Sequence, residues 1–522
     1  MIKISDVKLS PFDTDYKKAV AKALRTKETD VLNIEILRKS LDCRKRDFIH
    51  YVLTFKAEVK NEENFLKLKN VSKYVEDKYV FPYEKTNGKI VIAGSGPAGL
   101  FCGLMLARCG MNPIILERGE AVEKRKQSVD NFFKTGKLNV NSNIQFGEGG
   151  AGTFSDGKLT CGLNNKKIPF INEEFVKHGA PEEIKYSAKP HIGTDYLYKT
   201  VKAIREEIIS LGGKFLFETT LKDLVVENNK LTAVVTDKET IKCNKLVLAT
   251  GHSCRDTYRM LYEKGVNMEK KPFSVGVRIE HKRKYINLLQ YKTEEFAQTL
   301  PAADYKLSCH KENRGAYTFC MCPGGVVVCG ASGEGQVVTN GMSYFARNQE
   351  NSNAALLVSV LPEDINGTVL DAINFQEDLE KKAYIKGGEN YFAPVQLVCD
   401  FLEDRESTKA GEVKPSYLPG VKYTSIKDIL PDFVTDMLKF AIVEFNKKMK
   451  GFNFNDAVLT GVETRSSAPL RILRDESFQA NIKGLYPIGE GAGYAGGIMS
   501  SAIDGINCAE KIIENGKWRM EN

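Results

Sequence analysis

The sequence predicts an α/β protein that carries an inserted α+β domain and begins with a small α+β unit. Three observations predict this class. Segment 89–93 (KIVIA) is a short apolar run that leads through clustered glycines and an apolar helix to a second apolar run at 113–116. Segments 246–251 (LVLATG) and 484–491 (GLYPIGEG) are further short apolar runs that end in turns containing glycine. Such runs are typical of strands buried on both faces of a sheet.

Composition and charge narrow the class of protein. The 522 residues are 42% apolar and 27% charged, which is ordinary for a globular protein and excludes a disordered chain. The formal net charge is +8, and 19 basic and 14 acidic residues give residues 1–88 a net charge of +5. The tightest basic cluster, Arg44, Lys45 and Arg46, is sparse for a nucleic-acid binder. A solvated basic face is therefore the favoured interpretation, and a nucleic-acid partner is disfavoured.

Cysteine usage and the first residues indicate the compartment. The twelve cysteines are scattered and include no C-x-x-C pair, which predicts reduced thiols and no bound metal. Residues 1–12 lack the pattern of a signal peptide, and the most apolar segments are too short to cross a bilayer. We expect a cytoplasmic protein with no membrane partner. The sequence does not indicate an oligomeric state.

The first unit, residues 1–80, is predicted to be a small α+β domain. Residues 48–59 alternate between apolar and polar side chains, as in a half-buried strand, while residues 16–25 and 62–69 carry helical patterns. A short linker at 81–88 contains Pro82 and Gly88 and ends this unit.

The strongest motif follows the strand at 89–93. Residues 94–99 (Gly94, Ser95, Gly96, Pro97, Ala98 and Gly99) spell G-x-G-x-x-G and open a helix, and Glu117 ends the next apolar run. This context predicts a dinucleotide site. Gly94 permits the tight turn, Gly96 lets the backbone approach a pyrophosphate, and Gly99 lets helix and strand pack closely. The helix N-terminus favours phosphate, and Glu117 can accept the hydroxyls of the adenosine ribose.

Two distant segments favour FAD over NAD as the dinucleotide. Residues 246–251 end in A-T-G, a signature of the second strand in flavoproteins that bind two dinucleotides. Near the C-terminus, Gly489 and Glu490 follow another short strand, and the next helix begins near Gly497, Ile498 and Met499. Its dipole would stabilise the negative charge of a reduced flavin. A plain NAD dehydrogenase would not need this last strand.

A further glycine-rich stretch, residues 146–159, is too dense in glycine for a strand or helix. It is predicted to form a loop against the flavin, with a bare surface loop as the alternative. Residues 330–335 (GASGEG) follow a predicted strand, but their spacing is reversed and no apolar helix follows, so they predict a turn. No second Rossmann unit for NAD(P)H is evident. Either NAD(P)H docks transiently as the electron donor or the substrate itself donates electrons.

Long motifs at 146–159, 319–325, 340–343, 393–402, 461–472 and 489–505 make the chain resemble a family of mostly uncharacterised bacterial FAD-dependent dehydrogenases. The resemblance extends to SLDCRKRD at 40–47, where the family tends to have Ala in place of Cys43. It implies a glutathione-reductase-like, Rossmann-like FAD-binding domain with an inserted substrate domain. It implies no particular substrate.

Carried over position by position, the resemblance implies a set of FAD contacts. They are Gly94 to Gly99, Glu117, Arg118, Arg125, Gly150, Ala151, Gly152, Thr153, Leu221, Thr250, Gly251, Gly489, Glu490, Gly497, Ile498 and Met499. Among these, Arg125 is expected near the phosphates or ribose, and Leu221 is expected to present its backbone to adenine.

Catalytic residues are weakly indicated. Cys320 and Cys322 could form a redox pair or touch the flavin, but a dithiol relay usually uses C-x-x-C at a helix start. Their position before Pro323 predicts the tip of a β-hairpin instead. Arg465 could clamp a carboxylate substrate with its planar fork or form a structural salt bridge. The six histidines have no metal-like spacing.

These observations predict a FAD-dependent oxidoreductase that holds FAD non-covalently and passes hydride between the flavin and a small organic substrate. The alternatives are a flavin monooxygenase, a flavin-dependent protein that modifies or binds nucleic acid, and a non-enzymatic redox sensor. The predicted domains are the N-terminal domain (1–80), the first part of the FAD domain (88–270), an inserted substrate or cap domain (271–455) and the C-terminal part of the FAD domain (456–522).

Overall fold

The computed structural model describes residues 1–45, 48–83 and 88–517. Residues 84–87 of the predicted linker, and Arg46 of the basic cluster, lie outside the described residues. Within these ranges, no helix combines the length and apolar character needed to cross a lipid bilayer.

The elements follow the predicted alternation of strands and helices. The strands are β1 (Ile2–Leu9), β2 (Val31–Asp42), β3 (His50–Val59), β4 (Val71–Lys73), β5 (Lys89–Ala93), β6 (Asn112–Leu116), β7 (Lys214–Leu216), β8 (Leu221–Glu227), β9 (Lys230–Thr236), β10 (Thr240–Lys242), β11 (Leu246–Leu248), β12 (Met268–Lys270), β13 (Phe273–Lys282), β14 (Ser308–Lys311), β15 (Arg314–Cys322), β16 (Val326–Cys329), β17 (Thr339–Met342), β18 (Asn351–Val360), β19 (Ala393–Leu397), β20 (Val421–Tyr423), β21 (Val458–Glu463), β22 (Leu470–Ile472) and β23 (Leu485–Pro487). The α-helices are α1 (Tyr16–Leu24), α2 (Pro97–Arg108), α3 (Val122–Thr135), α4 (Lys167–Lys177), α5 (Thr194–Ser210), α6 (Arg255–Glu263), α7 (Arg283–Tyr291), α8 (Glu294–Thr299), α9 (Val369–Gly387), α10 (Val398–Leu402), α11 (Asp432–Lys448) and α12 (Ile498–Lys517).

The first four strands form a sheet of their own in the order β2-β3-β1-β4, with antiparallel pairing throughout. Alternate side chains of β1 and β3, such as Ile4 and Phe55, pack with α1 in a separate core. The helix predicted at 62–69 is wrong in extent: only a 3-10 turn forms, at Glu62–Phe65. Further turns follow it, because the Leu68 N–H donates to the Phe65 carbonyl and the Val71 N–H to that of Leu68, and they lead into β4.

The predicted α/β fold is confirmed by a five-stranded sheet in the order β23-β11-β5-β6-β7, in which every pairing is parallel. Along β5, successive side chains point to opposite faces. Ile90 and Ile92 pack with α2, α5 and α12, whereas Val91 and Ala93 pack with α6 and the antiparallel sheet β10-β9-β8. The sheet is therefore covered on both faces.

The insertion contains a seven-stranded sheet in the order β14-β15-β18-β13-β21-β19-β20. It packs against α9 and α11 over the largest apolar core. The predicted boundary between the insertion and the C-terminal part, at 455/456, is wrong because β21 pairs antiparallel with both β13 and β19. The insertion therefore reaches at least Glu463.

The hairpin predicted at Cys320 and Cys322 is also wrong. β15 pairs with β14 and β18, whereas β16 pairs with β17. The turn between β15 and β16 leaves the sheet at Gly324, which has a φ of +49° and donates its N–H to Ser352 Oγ at 3.0 Å. Residues 330–335 lie in the connection between β16 and β17 and form no helix, as predicted.

Candidate functional site

A cavity of about 1020 Å³ opens at the carboxyl ends of the parallel strands. Ala93, Leu116, Ala249 and Ile488 line it, each at or just beyond the end of a strand. This edge is where open α/β sheets bind ligands. Three segments that are far apart in the sequence form its walls: 93–98, 145–163 and 488–501.

The turn between β5 and α2 depends on two glycines that no other residue could replace without movement. Gly94 has a φ of +103°, and a Cβ there would lie 2.3 Å from the Ala249 carbonyl oxygen. A Cβ on Gly99 would lie 2.0 Å from the Gly94 carbonyl oxygen. Both contacts are impossible for a real Cβ atom, so these residues fix how closely α2 packs against the sheet.

Gly96 differs from those two glycines because it faces open space. Its φ is −71°, and a Cβ at this position would have the Gly150 Cα, 3.9 Å away, as its nearest neighbour. α2 begins at Pro97 and has no side-chain cap, so N–H groups of its first turn have no partner from a capping side chain. Backbone that is open to the cavity beside an uncapped helix N-terminus fits a phosphate group.

Glu117 lies at the end of β6 and is buried. Its Oε2 accepts the Ser95 N–H at 3.0 Å and the Ser95 hydroxyl at 2.6 Å, while its Oε1 accepts the N–H groups of Gly119 at 2.9 Å and Gly147 at 3.0 Å. The carboxylate therefore joins the β5–α2 turn to the glycine-rich loop. Of its four donors, the Ser95 hydroxyl is the one that can rotate away and leave a lone pair for a ligand.

The glycine-rich loop is held from behind by Arg125. The guanidinium of this fully buried side chain donates to five backbone carbonyls, those of Asn143, Ile144, Gly147, Glu148 and Gly150. The Arg125 side chain does not line the cavity, and its donors are occupied by the loop, so its predicted contact with the cofactor stays a prediction. Its role is to fix the shape of the loop.

The loop itself needs glycine at several points. Gly147, Gly149 and Gly150 have φ values of +120°, +82° and +62°, a region that side chains other than glycine rarely enter. Thr153, predicted to line the flavin, is not among the residues that line the cavity, and its hydroxyl donates to the Glu148 carbonyl at 3.3 Å. Its small polar side chain stabilises the loop from inside the protein.

The C-terminal wall begins after β23. The Gly489 N–H donates to Asp504 Oδ2 at 2.7 Å, and Arg474 binds the same carboxylate with two nitrogens. Burial raises the pKa of Glu490 to about 7, and its Oε1 lies 3.6 Å from His252 Nδ1. A Cβ on Gly497 would meet no atom within 4 Å, so the start of α12 is open to the cavity.

The opposite wall is polar and charged. Lys158 Nζ lies 3.1 Å from Asp156 Oδ2 and donates to the Met321 carbonyl. Arg347 binds Asp156 with Nε at 2.9 Å and Nη2 at 2.5 Å. Burial opposes the charge on Lys158, but Asp156 and two nearby thiols outweigh it and raise the pKa of Lys158. The lysine therefore stays charged at neutral pH.

Arg278 and Glu463 form a buried pair behind this wall. Arg278 donates to Glu463 Oε2 at 2.7 Å, to Asn353 Oδ1 at 2.7 Å and to the Cys320 carbonyl at 3.1 Å. Burial outweighs the attraction of Arg278 and raises the pKa of Glu463 to about 7. Glu463 lines the cavity, so a carboxyl group that titrates near neutral pH faces the ligand space.

Arg465 lines the cavity but is anchored behind it. Its Nη2 lies 2.7 Å from Glu380 Oε2, and Arg255 binds the same buried carboxylate with two nitrogens at 2.7 Å. Arg465 also donates to Ser332 Oγ at 2.5 Å. Of the two predicted roles, the structural salt bridge is present.

The structure thus brings most of the sequence-predicted site residues into one cavity. Those that line it are Gly94, Ser95, Gly96, Pro97, Ala98, Glu117, Arg118, Gly150, Ala151, Gly152, Leu221, Thr250, Gly251, Arg465, Gly489, Glu490, Gly497, Ile498 and Met499. Those outside its lining are Gly99, Arg125, Thr153 and Cys322.

Several lining residues were missed by sequence reasoning. They are Lys158, Lys271, Lys306, Asn340 and Glu463. Lys158 could have been found, because it belongs to the glycine-rich motif. Asn340 and Glu463 also stand in motifs, at 340–343 and 461–472, but nothing in those motifs marks them as facing a ligand. Nothing local marks Lys271 or Lys306.

Two family models match parts of the chain. Residues 272–466 match the family described as FAD-dependent protein, C-terminal domain-like, and residues 1–58 match a domain of unknown function (DUF8436). An uncharacterized protein of Clostridium beijerinckii is 47% identical over 527 residues, which cover 98% of this chain and 98% of that protein.

Several solved structures are similar over much of the chain. L-proline dehydrogenase of P. horikoshii is 12% identical with a TM-score of 0.36, over 83% of this chain and 94% of that chain. Glycine oxidase of Bacillus cereus is 13% identical with a TM-score of 0.31, over 82% and 95%. Glycerol-3-phosphate dehydrogenase of Bacillus halodurans, solved with FAD, is 10% identical with a TM-score of 0.37, over 84% and 66%.

The match at 272–466 makes this part of the chain similar to a domain of FAD-dependent proteins. The identity of 47% over nearly the full length of both chains shows the family of the whole chain. The chain belongs to the same family as the Clostridium beijerinckii protein.

Proposed function

We propose that this protein is an oxidoreductase that holds FAD non-covalently and passes hydride between the flavin and a small organic substrate. The observation that carries the proposal is that the three glycine-rich segments, at 94–99, 146–157 and 489–497, meet at the carboxyl edge of one parallel sheet. Folding alone does not require that segments so far apart in the chain line one cavity. A long two-part ligand that contacts all three segments explains why they meet there.

The residues present fit FAD part by part. The open backbone at Gly96 and the uncapped start of α2 would hold the pyrophosphate. Glu117 would accept a ribose hydroxyl once the Ser95 hydroxyl turns away, and the backbone at Leu221 would meet adenine. The flavin part would lie between Gly150–Gly152 and the open start of α12, whose dipole favours negative charge.

FAD, when bound, supplies the acceptor and donor of hydride. The chain supplies everything else around it. Lys158 stays charged and can hold an anionic group of the substrate, while Glu463 and Glu490, whose pKa values lie near 7, can take or give a proton at neutral pH. The electron donor is either the substrate or NAD(P)H that docks from solvent into the same cavity.

The proposal is tested on the purified full-length protein. Reconstitution with excess FAD should give flavin absorbance at one FAD per chain and raise the temperature of unfolding. FMN, which lacks the adenosine part, and NAD, which lacks the flavin, should bind more weakly than FAD if the whole cavity is used. A protein that shows neither flavin absorbance nor stabilisation by FAD would refute the cofactor assignment.

A second experiment addresses the reaction. Bound FAD is mixed anaerobically in a stopped-flow instrument with NADH, NADPH or a panel of small organic acids, amines and alcohols. We expect bleaching of the flavin by at least one of these donors. Anaerobic reduction of the flavin by NADH or NADPH, followed by hydroxylation of a substrate only after oxygen is admitted, would favour a monooxygenase instead.

A further inference from the structure

Two cysteines lie side by side at the charged wall of the cavity. Cys320 is half-buried and lines the cavity, and Cys322 is fully buried just behind it. In a regular strand, residues two apart lie about 6.6 Å from each other, near the limit that a disulfide can span. Here the pairing of β15 with β18 shifts register between Phe319 and Cys322. The Cys322 thiol donates a hydrogen bond to the Cys320 backbone carbonyl at 3.3 Å.

The backbone at Cys320 is held in an unusual conformation. Its φ is +40°, in the left-handed region that is unfavourable for a residue with a Cβ. Arg278 helps to hold it there, because its guanidinium donates to the Cys320 carbonyl at 3.1 Å and contacts Cys322 Sγ at 3.9 Å. Strain at a cavity wall suggests a functional constraint on these thiols.

The charges around the pair favour a thiolate at Cys320. The neighbouring Cys322 thiol lowers the pKa of Cys320, and Lys158 and Arg278 lower it further against the opposing effect of burial. Other buried cysteines behave in the opposite way: burial raises the pKa of Cys243, Cys254 and Cys329 to about 11. Cys320 therefore has the environment of a reactive cysteine, and those three have that of inert structural ones.

We propose that Cys320 and Cys322 form a redox-active dithiol–disulfide couple that exchanges electrons with the cofactor in this cavity and, through it or directly, with a disulfide substrate. This inference rests on the proposed function, because the electron partner inside the protein is the bound FAD. It adds a substrate class, small-molecule or peptide disulfides, that the proposed function leaves open.

The couple balances as a two-electron reaction. Forming the Cys320–Cys322 bond breaks two S–H bonds and releases two electrons and two protons, which one oxidised FAD accepts to become FADH₂. In the reverse direction the S–S bond breaks, Cys320 is released as a thiolate beside Lys158, and Cys322 keeps a proton. The Cys320 thiolate can then attack a substrate disulfide, which expels one substrate thiol. Cys322 attacks the resulting mixed disulfide, restores the internal bond and expels the second thiol.

Electron counting tests the proposal directly. The oxidised holoprotein is titrated anaerobically with dithionite, and the electrons taken up are counted per bound FAD. We expect four electrons, two for the flavin and two for the disulfide. Cys320→Ser and Cys322→Ser should each take up only two, while the matched control Cys329→Ser, a buried cysteine outside the cavity lining, should still take up four.

A second readout needs no flavin chemistry. The protein is equilibrated with glutathione buffers of increasing oxidation, free thiols are blocked, and the disulfide between residues 320 and 322 is quantified by mass spectrometry. In parallel, the pH dependence of iodoacetamide modification at Cys320 should shift to higher pH in Lys158→Met. Cys161, which lines the same cavity, serves as the internal reference.

The outcomes separate this inference from the proposed function. A protein that binds FAD but takes up two electrons and never forms the disulfide would overturn the inference and leave the FAD assignment intact. A protein without flavin would overturn the proposed function, and the disulfide measurement would then decide alone whether the thiol couple exists.

Discussion

Alanine at two glycines of the β5–α2 turn should change two different properties. At Gly99 it should lower the stability of the fold, and at Gly96 it should weaken FAD binding. Gly99→Ala places a Cβ 2.0 Å from the Gly94 carbonyl oxygen, where only a shift of α2 can relieve the clash. Overpacking of this kind costs about 1–3 kcal/mol, and because the clash is with backbone we take the upper end. The better helix propensity of alanine returns about 1 kcal/mol. The net loss of about 2 kcal/mol corresponds to a fall of about 4–8 °C in the unfolding temperature.

Gly96→Ala should leave the fold nearly unchanged and weaken FAD binding. Its φ of −71° suits alanine, and the new Cβ would meet no atom closer than 3.9 Å, so the stability cost is at most about 1 kcal/mol. The methyl group would stand where a phosphate approaches the N–H groups of α2. Losing one charge-assisted hydrogen bond costs about 1.5–3 kcal/mol, which is about a 10- to 100-fold weaker affinity.

The two effects are measured separately. Thermal unfolding of the FAD-free variants gives the stability, and quenching of flavin fluorescence on binding gives the affinity for FAD. Wild-type FAD affinity in Gly96→Ala would refute the assignment of this turn to the pyrophosphate. A Gly99→Ala protein as stable as the wild type would refute the packing argument.

Three further predictions concern buried charges. Arg125→Met should cost at least about 1–3 kcal/mol in urea unfolding, the penalty of one unsatisfied buried carbonyl, and abolish FAD binding, because the five carbonyls of the glycine-rich loop lose their donor; retained FAD affinity would contradict this role. Glu380→Gln should cost about 3–5 kcal/mol, because Arg465 would be left buried without its ion pair and Arg255 would keep only Glu377, 3.8 Å away. Burial works against ionisation of Glu380, but the two arginines outweigh it and hold its pKa well below the usual range. The difference in the free energy of unfolding between the wild type and Glu380→Gln should therefore be lost as pH falls below about 4.5. Glu490→Gln should flatten the pH dependence of the free energy of unfolding of the FAD-free protein between about pH 4.5 and 7. A carboxyl whose folded pKa is raised to about 7 contributes stability at low pH that is lost as pH rises through that value. An unchanged profile would argue against a Glu490 that is neutral at low pH in this range.

The parallel sheet and the glycine walls could be predicted from sequence because their signals are local. Twenty residues contain a buried five-residue strand, a G-x-G-x-x-G turn and an apolar helix. The backbone explains each glycine of this turn, through a close contact at Gly94 and Gly99 and through open space at Gly96. The strands at 246–248 and 485–487 carry the same signal, so their place in one sheet followed from the pattern.

The contacts within the charged wall could not be predicted, because its side chains meet only after folding, although Lys158 and Cys320 stand in sequence motifs. Lys158 lies in the glycine-rich loop, whereas Arg278, Cys320 and Glu463 lie on β13, β15 and β21 of the seven-stranded sheet. Their chemistry depends on contacts and burial that no spacing reveals. Arg125 shows the converse: a residue expected at the ligand proved to bind the backbone that shapes the site.

The last strand constrains the order of events during synthesis. β23 pairs with β11 across more than 230 residues of chain, and α12 packs against α2. The sheet edge and one wall of the cavity are therefore missing until β23 and α12 have been synthesised. The earlier strands β5, β6 and β11 form an incomplete sheet until then, so a ligand that needs all three glycine-rich walls can be held only after residues 489–497 have been made.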